Sequence, residues 1–184
     1  MSSSFDLPSV DRITVGTVGE PGSRTFFLQA REDSLVVSLK VEKGQVAALA
    51  ERLGDLLREN PASSPIPEPA ELDLEEPTLA EFVVGSLGLS FSTDDERVVI
   101  VCEEVVFVDD DDDEDALDDD EDDEEGPRGA VARFGLTRGQ AAALAMRGAL
   151  LVATGRAACP LCGYPLDPRG HVCPKTNGQR PPTL

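Results

Sequence analysis

A nine-residue stretch of this chain occurs twice: Gly44-Gln-Val-Ala-Ala-Leu-Ala-Glu-Arg52 reads in register with Gly139-Gln-Ala-Ala-Ala-Leu-Ala-Met-Arg147. Each copy opens a helical pattern. Val46, Leu49, Ala50, Leu53, Leu56 and Leu57 share one face of a helix expected over 43–58. The second helix is expected over 138–154, where Thr137-x-x-Gln140 forms a capping box that satisfies two orphaned backbone donors. The strand before each helix aligns as well, with Val37, Leu39 and Val41 falling on Ala132, Phe134 and Leu136. Farther upstream Val15-Gly-Thr17 resembles Val84-Gly-Ser86, at a different offset. Ala/Leu-rich helices resemble one another through composition alone, but the shared Gly-Gln start and the matching strand phase favour duplication of a β-β-β-α unit.

Such a repeat limits the fold to a pseudo-two-fold α+β domain in which antiparallel sheets bury one face against helices. The first unit spans 12–58 and the second 81–154 within a domain of 12–155. Strands are expected at 13–18, 24–30 and 35–41, then at 81–91, 97–108 and 130–136. The Leu35/Val37/Leu39/Val41 alternation is the clearest period-two signal. Gly148 falls where Leu53 falls in the first copy, so a small residue there lets two elements approach closely. Residues 60–70 hold four prolines and read as a linker or exposed loop. Cys102 ends the run Val98-Val-Ile-Val101 and reads as a buried strand residue.

The net charge of −20 describes one segment more than the whole surface. Residues 109–125 carry 15 acidic side chains, and removing those charges from −20 leaves −5. Like charges with little apolar surface to bury predict a disordered acidic loop. It is a solubilising insert or a docking element for a basic partner; the glycine an EF-hand turn needs is missing.

The last 30 residues carry three of the four cysteines and the only histidine. Cys159-x-x-Cys162 presents two thiolates from one knuckle, Gly163 permits the positive φ such turns use, and His171 and Cys173 follow after a short Pro/Gly-rich span. Thiolate and imidazole suit tetrahedral zinc, and four protein ligands leave no position for substrate water, so the expected ion is structural. The segment 156–184 is therefore expected to be a small zinc-binding tail held by Cys159, Cys162, His171 and Cys173. His171 as a bystander, with another fourth ligand, stays open. So does a Cys159/Cys162 redox dithiol, although Gly163, Pro165 and Pro168 oppose the helix N-terminus that activates such pairs.

The start of the chain lacks a basic, apolar leader, and no apolar run approaches the length of a membrane span. A cytoplasmic protein with no membrane partner is expected, with thiols kept reduced for metal. Gly16-x-x-Gly19-x-Pro-Gly22 lacks the Gly-Lys-Ser/Thr of a phosphate loop and reads as turns between strands. Arg24 beside it is either an anion contact or one half of an ion pair.

The opening Gly16-Thr-Val-Gly-Glu-Pro-Gly22 and Arg24-Thr-Phe-Phe-Leu-Gln-Ala30, with the closing Cys159-to-Gly178 tail, resemble an uncharacterised protein family of actinobacteria, a domain of unknown function, over nearly the full length. The resemblance implies a zinc-ribbon-like tail and no established activity. Three function classes follow. The first is a non-enzymatic zinc-binding adaptor or regulator that contacts another protein. The second is a nucleic-acid binder using Arg156, Arg169, Lys175 and Arg180 with Tyr164, against which the overall charge weighs. The third is an enzyme using the redox dithiol or carboxylates such as Glu42, Glu81, Glu103 and Glu104, none of which the sequence singles out.

Overall fold

The computed structural model describes residues 3–20, 22–61, 63–106, 129–154, 159–162 and 173–176. The acidic segment 109–125 lies outside them, as do His171, Tyr164, Gly163, Arg156, Arg169 and Arg180. No helix among the described residues is long and apolar enough to cross a membrane.

The architecture is α+β and contains the β-β-β-α order twice. The first unit is β2 (Arg12–Val18), β3 (Thr25–Glu32), β4 (Leu35–Val41) and α1 (Lys43–Glu59). The second is β5 (Val84–Ser92), β6 (Arg97–Glu104), β7 (Val131–Leu136) and α2 (Arg138–Ala153). Three antiparallel strands make one sheet in the order β2-β3-β4. The other runs β1-β7-β6-β5, where β1 (Phe5–Leu7) is a short strand that the sequence pattern did not predict.

Pairing registers fix the correspondence between the units. Val15 pairs with Leu28 and Leu28 with Leu39; Leu89 pairs with Ile100 and Ile100 with Phe134. Phe134 aligns with Leu39, so Leu89 holds the place of Val15. The alignment of Val15-Gly-Thr17 with Val84-Gly-Ser86 is therefore overturned: it is five residues out of register with the ladder, and Val84 and Gly85 sit before the part of β5 that matches β2.

The units also exchange their leading segments. β1, which leads into β2, pairs in parallel with β7 of the other unit, Phe5 opposite Ala132 and Leu7 opposite Phe134. Residues 81–83, which lead into β5, run along β4: Glu81 N donates to Ser38 O at 2.9 Å and Lys40 N to Phe82 O at 3.0 Å. Helices cross over in the same sense, α1 lying against β5 and α2 against β2. Burial follows the strand alternation. Ile13, Val15, Leu28, Val37, Leu39, Ile100, Cys102, Ala132 and Phe134 face the shared core with Val46, Leu53, Ala141 and Leu144 of the helices, all less than 3% exposed.

Gly148 sits at the crossing of the two helices. A Cβ there would stand 3.2 Å from Ala50 Cβ and 3.5 Å from Val46 Cγ1, so a larger residue would have to push α2 and α1 apart. The glutamine of the shared Gly-Gln start does more than cap. Gln140 Oε1 accepts from Thr137 N at 2.8 Å while its Nε2 donates to the Val10 and Asp11 carbonyls at 2.9 and 3.1 Å. Gln45 repeats the arrangement, accepting from Glu42 N at 2.7 Å and donating to the Val84 and Gly85 carbonyls at 3.0 and 3.2 Å. Each glutamine thus ties its own helix start to the segment that leads into the other unit's first strand.

The described residues of 60–68 are exposed or half-buried, and the chain runs on from them into a strap. Ser63 and Ser64 accept from Arg138 Nη2 and Gly139 N at 2.5 and 2.7 Å. Beyond a 3-10 turn (Pro69–Leu72), the chain lies on the polar face of the β2-β3-β4 sheet. Thr14 Oγ1 donates to Leu72 O, Gln29 exchanges two bonds with the Glu75 backbone, and Leu74 packs onto Gly16, where any Cβ would lie 2.4 Å from its Cγ. Glu75 accepts from Arg12 at 2.9 Å and pairs with Arg31 at 3.5 Å. The strap explains the buried Thr14 and Gln29, whose polar groups meet its backbone, and Gln29 Nε2 in turn donates to the buried Ser38 Oγ at 3.0 Å, as burial requires.

Candidate metal centre

Beyond α2, the described tail consists of the turn 159–162 and the piece 173–176, which contains a 3-10 turn at Pro174–Thr176. These two pieces bring Cys159, Cys162 and Cys173 together, with all three sulfur atoms within 4.8 Å of one another. Cys159 and Cys173 are buried at 2% and 0% exposure, and their Sγ atoms stand 4.0 Å apart. Cys162 is half-buried. No disulfide links any of the four cysteines.

The knuckle forms because Cys159-Pro-Leu-Cys162 is a tight turn, which directs the backbone N–H of Cys162, and then that of Leu161, at Cys159 Sγ. These donors hold the Cys159 thiol below the usual cysteine range, against the opposing effect of its burial. A thiol so placed gives up its proton to a metal readily.

The donor set fits zinc. Bonds of about 2.3 Å in a tetrahedron place sulfurs roughly 3.8 Å apart, close to the observed Cys159–Cys173 separation. Three thiolates fill three corners; His171, expected at the fourth, lies outside the described residues. Residues 159–162 form a turn rather than the start of a helix, the feature that activates a redox dithiol.

Other residues singled out from the sequence have structural places. Cys102 is fully buried in β6, and burial pushes its thiol up to about 12. Arg24 Nη1 donates to Thr154 O at 3.0 Å, closing the C-terminal end of α2. Glu42 is the N-cap residue of α1, Glu103 accepts from Ser86 Oγ at 2.6 Å, and Glu104 accepts from Ala130 N at 2.9 Å. Glu81 enters the β4 edge through its backbone. These carboxylates are spread over a cap, strand ends and a linking segment, so the structure does not gather them into one site. Lys175 is exposed beside Cys173.

Fold and site together define a class: a two-unit α+β protein carrying a C-terminal cluster of three thiols able to hold a metal ion. The chain belongs to the family described as "Protein of unknown function (DUF3090)", whose model matches residues 5–173 and so takes in all three clustered cysteines. No curated protein and no solved structure matches it.

Proposed function

We propose that this is a zinc-binding protein of the cytoplasm in which one structural ion orders a zinc-ribbon-like tail, and that it acts as an adaptor or regulator by contacting another protein rather than by catalysis. The observation that carries the metal reading is the convergence of Cys159, Cys162 and Cys173 at sulfur separations suited to tetrahedral zinc. Little apolar surface is available to hold such a tail. Apparent zinc-binding free energies of about 10–16 kcal/mol in small structural sites are ample to order it. His171 completes the ligand set, leaving no open position for a substrate and giving the ion a structural task.

Native mass spectrometry with and without a strong chelator tests this. One zinc per chain, lost with chelator and in Cys159→Ser or Cys173→Ser, is expected, with the circular dichroism of the 12–154 scaffold retained. A metal-free protein with a Cys159–Cys162 disulfide would replace the zinc reading by a redox one. Tight, salt-dependent binding of nucleic acid would displace the protein-adaptor reading.

A further inference from the structure

In the register that sets Gly44 on Gly139, Ala142, Met146, Ala149, Leu150 and Ala153 of α2 fall on Ala47, Glu51, Gly54, Asp55 and Arg58 of α1. Both sets lie on the side of their helix turned away from the core, which α1 enters through Val46, Leu49 and Leu53 and α2 through Ala141 and Leu144. On α1 this side suits water: Glu51, Asp55 and Arg58 are exposed, and Asp55 pairs with Arg58. On α2 the same side carries no charge. Met146 is 66% and Leu150 63% exposed, and Ala149 and Ala153 are exposed as well. A helix that is apolar on every side is ordinarily covered on every side. None of the described residues covers this stripe.

Ala142, Met146, Ala149 and Ala153 recur at intervals of four, three and four, the spacing of a coiled-coil seam, with Leu150 along one side. Run in the opposite direction, this seam complements itself. About a two-fold axis between Met146 and Ala149, Met146 of each copy meets Ala149 of the other, and Ala142 meets Ala153. The one large residue of the seam therefore always faces a small one. Charge points the same way. The chain carries −20, so two copies repel through most contacts, whereas α2 contributes Arg138 and Arg147 and no carboxylate. Antiparallel helices also bring opposed dipoles together, which is favourable.

We propose that α2 pairs antiparallel with α2 of a second copy of this chain, burying Met146, Ala149, Leu150 and Ala153 in an isologous contact. A single helix of 16 residues, about 24 Å long, offers less than the roughly 800 Å² per partner of a standard interface. The dimer is accordingly weak and reversible, with a Kd of about 10–100 μM. The surface lies on the scaffold and needs no metal, so it goes beyond the zinc reading and stands or falls separately from it.

The chain has two methionines, Met1 and Met146, so methyl-labelled full-length protein reports on the seam directly. As the concentration rises from about 10 μM to about 1 mM, sedimentation equilibrium should show the mass climbing towards that of a dimer, and the Met146 methyl signal should shift with it. A mixture of differently labelled copies should give intermolecular nuclear Overhauser contacts between the Met146 and Ala149 methyl groups. Met146→Glu with Leu150→Asp gives α2 the residues that α1 carries at the same places. That variant should keep its circular dichroism and urea midpoint while dimerisation weakens at least tenfold. Glu51→Gln, at the equivalent place on α1, should change dimerisation less than twofold, and chelation should not change it. Several results would overturn the proposal. A monomer at about 1 mM would leave the stripe to a different protein. Undiminished dimerisation of the double variant, or intermolecular contacts from Met146 to anything other than α2, would place the contact elsewhere. A dimer lost on chelation would assign it to the tail.

Discussion

Gln140 and Gln45 make the same three hydrogen bonds at equivalent places, yet their replacement by alanine should not cost the same. Gln140 is 8% exposed, and its bond to the Val10 carbonyl is buried. Truncation leaves that carbonyl without a partner and removes part of the satisfaction of Asp11 O and Thr137 N–H. One buried unpaired group at about 1–3 kcal/mol, with smaller losses at two part-buried ones, sums to roughly 3 kcal/mol. Gln45 is half-exposed on the wall of the open α1/β5 groove, where water replaces what the side chain supplied. Its loss should cost about 1 kcal/mol, mostly through the helix cap. Urea denaturation followed by circular dichroism reads the difference: about 2 kcal/mol corresponds to midpoints separated by roughly 1 M. Gln140→Glu isolates the donor half, because it keeps an acceptor for Thr137 N–H but turns a carboxylate towards two carbonyl oxygens. It should be at least as destabilising as the alanine. Equal losses at positions 140 and 45, or a mild Gln140→Glu, would refute the assignment of the cost to burial of the carbonyl clamp.

Three further outcomes are expected. Gly139→Ala puts a Cβ 2.0 Å from Pro65 O, whereas Gly44→Ala, at the equivalent position, meets nothing within 4 Å. By denaturation, the first should detach the strap and destabilise, and the second should be neutral or gain up to about 1 kcal/mol in helix propensity. Gly148→Leu drives a branched side chain into Val46 and Ala50 and should cost about 1–3 kcal/mol, part of which Ala50→Gly restores in the double variant. Cys102 should resist alkylation at pH 8 until the protein unfolds. The folded state holds its proton more tightly than the unfolded chain, so its share of stability is intact below pH 9 and is lost as the pH climbs from there to about 12, measurable as a falling urea midpoint.

The helices and six of the seven strands were legible because each buries one face at its own period, and the capping box at Thr137 fixed where α2 starts. β1 was not, since three residues carry no periodic signal and its partner lies far along the chain. The strap over 72–75, just beyond the proline-rich linker, went unpredicted for a related reason. Its attachment combines the backbone of Leu72 and Glu75 with the carboxylates of Asp73 and Glu75, and such isolated polar contacts leave no periodic trace in the sequence. The misplaced Val-Gly match, five residues out of register with the ladder, shows the limit of a three-residue similarity. At the metal centre, spacing was enough to group Cys159 with Cys162 and to bring in Cys173. The role of the two glutamines was present only as a repeated letter; that one side chain serves a cap and a clamp at once required the positions of Val10 and Val84.

The exchange of leading segments has a consequence during synthesis. Phe5 is made early, but the strand that it completes contains Ala132. At about 5–20 residues per second, roughly 6–25 s pass between the emergence of one and the other. Over that interval the first unit waits with its amino-terminal strand undocked, and a nascent chain stopped before residue 131 has nowhere to put it.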